Sequence, residues 1–276
     1  MRVLANMAWC KQEQEKFEEA VNLYKEAATL VADNYNLDQA LILDNLGLCF
    51  LSLGLKKEAL DFTRQAQTMR SELTHEIYHS LVARSRLNVG LCLIENGDYV
   101  GARNCLENAK EIYEKIGLKN YISIVLRNLA RCLSLEKPSD CHFALVYAQQ
   151  ALEMMKEHVV EDNNNPGIAI TLAVVGLCFF KAGRLEEAKK NLLKALDMIK
   201  SLFSESHPWL VEVYQLLYIM YEEDGKLEQA EDFRKKMKKI ACEINVIAKK
   251  IQETNKLRWK SPRDIFCKRE PDITWV

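Results

Sequence analysis

One string recurs along this chain, and a chain built on a repeat has few folds open to it. Residues 45–60 read NLGLCFLSLGLKKEAL, residues 88–102 read NVGLCLIENGDYVGA and residues 174–188 read VVGLCFFKAGRLEEA. Weaker copies lie at 6–20, 128–144 and 216–230. Each copy places a small residue on a first helix, a Gly about seven positions later and an Ala about five after that. The small residue is Ala8, Gly47, Gly90, Ala130 or Gly176, and the second-helix alanine is Ala20, Ala59, Ala102, Ala144, Ala188 or Ala230. The intervening Gly is Gly54, Gly97, Gly183 or Gly225, and a later small position follows at Ala27, Ala66, Ala109, Ala151 and Ala195. Two antiparallel helices approach closely only where side chains are small, and the turn glycine suits the left-handed residue that ends the first helix. Large residues such as Phe17, Phe50, Tyr99, Phe179 and Tyr221 fill the space between. Each hairpin leaves an apolar face that the next hairpin covers.

This pattern resembles the tetratricopeptide repeat over residues 1–240. It departs in repeat six, where Tyr218 and Met237 stand at positions usually small, and in repeat four, whose inter-helix turn carries two extra residues around Pro138. Successive second-helix alanines are 39 to 44 residues apart, against about 34 for the common repeat. Long repeats of this kind are similar to kinesin light chains and to the Leu-Gly-Asn-repeat polarity adaptors, as is Ser206-His207-Pro208 ahead of the sixth first helix. The resemblance implies an all-α, right-handed superhelical solenoid of six helix-turn-helix units with a C-terminal capping helix. It implies a protein-interaction role, no enzyme activity and no cofactor.

Gly and Pro are scarce, 10 and 5 residues, which argues against a turn-rich β-sandwich. The net charge of −1 provides no global field for nucleic acid. Residues 226–276 are locally basic, with 14 Lys or Arg against 8 Asp or Glu. No apolar run approaches the length of a membrane span. No signal-peptide pattern opens the chain, and Met1 leads directly into helical periodicity. The nine cysteines include no CxxC pair. Cys10, Cys49, Cys92, Cys132 and Cys178 all stand two residues after the small first-helix position, where cysteine acts as a small buried hydrophobe. That usage suits a reducing, cytoplasmic compartment.

Met237, Ile240, Ile244, Ile247 and Ile251 continue one apolar stripe past the last repeat. The expected organisation is therefore a solenoid over 1–240, a continuation of the capping helix over 241–258 and an irregular basic tail over 259–276. HVVEDNNNPGIA, residues 158–169, reads as an exposed inter-repeat loop.

His75-Glu76-Ile77-Tyr78-His79 matches the zincin string HExxH in letters. Glu95 and His142 are the only candidates for a third ligand, and neither completes a known spacing, so the string is read as a chance occurrence. Glu18-Glu19 and Glu186-Glu187 sit in first helical turns, where the helix dipole favours them without any catalytic role.

The informative constellation is the ladder Asn6, Asn45, Asn88 and Asn128, each two residues before the small first-helix position. An Asn side chain carries both donor and acceptor, and a column at repeat spacing can pair with the backbone of an extended peptide. In peptide-binding members of the resembled family this residue does so; the same position also favours Asn for structural reasons. The same wall offers Arg84 and Leu87, Arg127 and Arg131, then Ile170, Ala173, Leu177 and Phe180. Arginines beside an apolar stretch suit a segment with acidic and large apolar residues; the alternative is that acids of the solenoid itself pair with them. The candidate groove residues are thus Asn45, Arg84, Asn88, Arg127, Asn128, Arg131, Leu177 and Phe180. The expected partner is a protein, met through an extended or helical acidic segment within a larger complex. The rival expectation is a permanent component of a cytoskeletal or ciliary, microtubule-associated assembly.

Overall fold

The computed structural model describes residues 1–31, 36–74, 79–137, 140–157 and 165–258. Among them the chain forms twelve helices and no strand. They pair in order: α1 (Arg2–Glu13) with α2 (Phe17–Thr29), α3 (Leu37–Ser52) with α4 (Lys56–Leu73), and α5 (Ser80–Asn96) with α6 (Tyr99–Lys115). They continue with α7 (Lys119–Glu136) and α8 (Cys141–Glu157), α9 (Pro166–Lys181) and α10 (Leu185–Leu202), then α11 (Trp209–Glu223) followed by α12 (Leu227–Arg258).

Local chemistry sets several boundaries. Asn36, Asp98 and Asn165 each accept a backbone N–H of the following first turn, at 2.9, 2.9 and 2.7 Å, satisfying donors that a helix start leaves open. Pro166 then occupies the first position of α9, where its missing N–H costs nothing. Gly97 ends α5 at φ +82°, and Gly54, Gly183 and Gly225 take the same left-handed conformation.

The repeat register holds in the packing. All six second-helix alanines are buried, as are Ala8 and Ala130. A β-carbon built on Gly47 would lie 2.6 Å from Thr63 Cγ2 and 3.1 Å from the Ala59 carbonyl oxygen; on Gly176 it would lie 2.7 Å from Leu192 Cγ. The first helix therefore rests on the second-helix alanine and on the residue one turn beyond it. Cys49, Cys92, Cys132 and Cys178 are buried, and burial pushes the thiols of Cys132 and Cys178 up to about 11 and about 12. Cys10 is exposed, because it lies on a face of α1 that no described element covers.

The chain divides into two compact units. Met1–Ile77 with Asn245–Val276 form unit 1, and Tyr78–Ile244 form unit 2. In unit 2 one apolar core runs from Ala130 and Ala144 through Val175, Leu192 and Leu210 to Leu217 and Ile240. In unit 1 the far half of α12 joins the first two hairpins: Lys250 pairs with Glu18 of α2 at 2.7 Å, and Gln252 donates to Glu58 of α4 at 2.8 Å. The apolar stripe of α12 is thus shared, with Met237, Ile240 and Ile244 on the core of unit 2 and Ala248 and Ile251 buried in unit 1. Residues 259–276, the Pro138 turn, residues 158–164 and residues 75–78 of the HExxH string lie outside the described residues. His79 itself precedes α5, where its Nδ1 accepts from the Leu81 N–H at 3.1 Å.

Candidate peptide-binding wall

The first helices of unit 2 are α5, α7, α9 and α11, and each packs on the next in that series. They form one wall, onto which the repeat register projects corresponding positions. Of the eight sequence-chosen residues, seven belong to its helices. Asn45 belongs to α3 in unit 1, where it is buried.

On α5, Arg84 is half-buried and Asn88 stands one turn further along, on the same face. Asn88 is 5% exposed, and its Nδ2 is sealed from solvent with no acceptor among the described residues. Asn128 of α7, at the equivalent position, is buried and donates from Nδ2 to the Ile124 carbonyl oxygen at 2.8 Å. Equivalent asparagines therefore have different surroundings, one amide satisfied within its own helix and the other not.

Arg131 is held by acids of the solenoid. Its Nη2 lies 2.7 Å from Glu95 Oε1 of α5 and 3.2 Å from Glu212 Oε2 of α11. A side chain of α7 that meets α11 past the intervening α9 requires the wall to be concave there. Burial works against the charge of Arg131, but Glu212 and Glu95 outweigh it and raise its pKa above the ordinary arginine value. Arg127, one turn earlier on α7, is 8% exposed and has no carboxylate partner among the described residues. Burial, reinforced by the like charge of Arg131, pushes its pKa down to about 10. Its Nε is sealed and unmatched, whereas its two terminal nitrogens are not among the sealed atoms. On α9, Leu177 is buried in the core and Phe180 is partly buried against it.

Glu212 escaped the sequence reading as a wall residue. It stands at the position of α11 that corresponds to Arg84 of α5, so the repeat register alone places it on the wall. Its pairing with Arg131 was not readable, because that depends on how strongly the wall curves.

A solenoid of paired helices with a concave first-helix wall defines a class of repeat scaffold. The tetratricopeptide repeat model matches residues 1–72, 81–157 and 167–241, and the chain belongs to that family. Among curated proteins none matches the chain significantly in sequence. Among solved structures, a Rap protein complexed with Competence and Sporulation Factor is similar at TM-score 0.69 and 13% identity, over 88% of this chain and 75% of that one. The Rap conjugation gene regulator of plasmid pLS20 in complex with the Phr* peptide is similar at TM-score 0.66 and 14% identity, over 91% and 74%. A protein of Podosopora anserina described as a kinesin light chain, with nearly identical TPR-like repeats, is similar at TM-score 0.55 and 16% identity, over 72% and 94%. At these identities the likeness is one of fold.

Proposed function

We propose that this protein is a non-enzymatic adaptor that holds a segment of a partner protein along the first-helix wall of unit 2. Asn88, with Asn128, engages the backbone of the segment; Arg84 and Arg127 meet its polar side chains, while Arg131 stays with Glu95 and Glu212; Leu177 and Phe180 support its apolar ones. Asn45 holds the equivalent register position within unit 1. The observation that carries the reading is the pair one turn apart on α5: a half-buried Arg84 and, below it, an Asn88 amide donor with no acceptor. A buried donor left unmatched costs about 1–3 kcal/mol, which an incoming carbonyl oxygen would recover once the Asn88 side chain turns towards the wall surface. One of the similar folds is a peptide complex, which fits a wall used in this way. The setting is cytoplasmic, and no described helix is long and apolar enough to cross a membrane.

The test is capture of partners from native cells by the purified chain, followed by the same measurement with R84E/N88A. The double variant removes the backbone donor and reverses the neighbouring charge. Its partners should be lost at least tenfold while its thermal midpoint is kept. Undiminished capture would exclude the wall. The kinesin light chain-like fold favours one other use, as a fixed component of a microtubule-associated assembly. Co-sedimentation with microtubules that survives R84E/N88A would select that reading.

A further inference from the structure

Four of the five register cysteines are buried, and three of those meet the hairpin before their own. Cys49 donates to Gln12 Oε1 of α1 at 3.2 Å, Cys132 donates to the Tyr99 carbonyl oxygen of α6 at 3.2 Å, and Cys178 lies 3.1 Å from Ser134 Oγ of α7. The register thus turns this position towards a neighbouring hairpin. On α1 the same position carries Cys10, which is exposed. Val3, Met7 and Cys10 are spaced by four and three and make one stripe. Val3 is 71% and Met7 47% exposed, and Trp9, further round the helix, is 53% exposed. This first helix leaves bare an apolar face of the kind that elsewhere packs on another hairpin.

We propose that this face of α1 pairs with the same face of a second copy of the chain, the two α1 helices running antiparallel. Charge selects both the occupant and its direction. Arg2 and Glu13 stand at the two ends of α1. Eleven residues separate them, about three full turns, so both lie on one flank of the stripe. An antiparallel pair sets the start of one helix beside the end of the other, with like flanks together. Arg2 of each copy then meets the partner's Glu13, and two-fold symmetry makes the contact twice. A parallel pair would set Arg2 beside Arg2 and Glu13 beside Glu13. A cover from an unrelated protein would need no such match within α1 itself.

Both charges are available. Glu13 is exposed and pairs with no cation among the described residues. Arg2 reaches Asp38 at 3.4 Å with its side chain 81% exposed, and an ion pair so exposed holds it weakly. With twelve residues α1 is about 18 Å long, too short for an interface of standard size, so the dimer is weak and reversible. The pairing uses no residue of the unit 2 wall and stands apart from the adaptor reading. Its effect there is to join two copies, which adds avidity for a partner with two segments.

Sedimentation velocity of the intact chain from about 10 to 500 µM tests the pairing. The native chain should pass from monomer to dimer and stop there. Met7→Lys places a charge within the stripe and should raise the dissociation constant about tenfold or more, while its dilute monomer melts as the native one does. R2E and E13R each set like charges across the pair and should each weaken the dimer about fivefold or more at low ionic strength. An equimolar mixture of R2E with E13R should dimerise as the native chain does, because each altered end meets the opposite charge on the other variant. Should Met7→Lys melt lower, the mixture still decides, since Arg2 and Glu13 are exposed. A chain that stays monomeric throughout would mark a face covered by something other than a second copy, and would overturn the proposal. Assembly beyond the dimer, which requires a head-to-tail contact, would overturn it too. So would variants that dimerise no better mixed than alone.

Discussion

Glu15 holds a backbone conformation that four other repeats give to glycine. It stands seven residues after Ala8, as Gly54, Gly97, Gly183 and Gly225 stand seven after their own register positions, and its φ is +59°. A side chain costs about 1–2 kcal/mol in that region, because its β-carbon crowds the following carbonyl oxygen. Glu15→Gly should therefore stabilise the first hairpin by about 1 kcal/mol, less the contacts of the Glu15 side chain, and slow amide exchange in α1 and α2. A faster exchange would mean that those contacts outweigh the strain. The other turn glycines were legible because glycine signals the conformation directly; at Glu15 only the repeat register does. Repeat four avoids the problem differently. Lys137, at the same register position, is extended at φ −145°. The wall shows the same division. Asn88, Arg127 and Arg131 were legible as wall residues from register, whereas Arg131 being paired and Arg127 not are consequences of curvature and of distances across three helices.

At the scale of the helix, the contact between the two members of a hairpin is set by a single pair of positions. Gly47 meets Thr63, and Gly90 and Gly176 meet Leu106 and Leu192 at the equivalent place. Glycine within a helix costs about 1 kcal/mol relative to alanine, so Gly47→Ala gains that amount and then meets Thr63 Cγ2 at 2.6 Å. Thr63 is β-branched and its Oγ1 bonds the Ala59 carbonyl oxygen at 2.9 Å, so it has little freedom to turn away. Gly47→Ala should lower stability by about 1–3 kcal/mol. Adding Thr63→Ala should recover most of the loss. A denaturant titration of both variants checks this, and independent effects would contradict the contact. Helix α12 shows the limit of reading at this scale. Its stripe of Ile240, Ile244 and Ile251 was plain from spacing, and so was its helical state. The division of that stripe between two compact units was not, because spacing says which side of a helix is apolar and nothing about which neighbour covers it.

For the molecule as a whole, the far half of α12 is part of how unit 1 holds together. Ile251 is 3% exposed while Val246, on the other side of the helix, is 63% exposed. A charge placed at Ile251 must leave its burial or remain unpaired within it. Ile251→Asp should accelerate hydrogen exchange in α2 and α4, whose first turns receive Lys250 and Gln252, and leave α9 and α10 of unit 2 unchanged. Equal acceleration throughout would show that the chain opens as one cooperative body. The ion pairs of Arg131 have a consequence of another kind. In most repeat arrays each hairpin contacts only its neighbours. Glu95, Arg131 and Glu212 come from the third, fourth and sixth hairpins. One extra hairpin inserted between α8 and α11 would carry Glu212 about 8–10 Å further along the wall, beyond the reach of Arg131. The contact therefore holds only for the present number of hairpins in this stretch, and an insertion outside it would leave all three residues in reach.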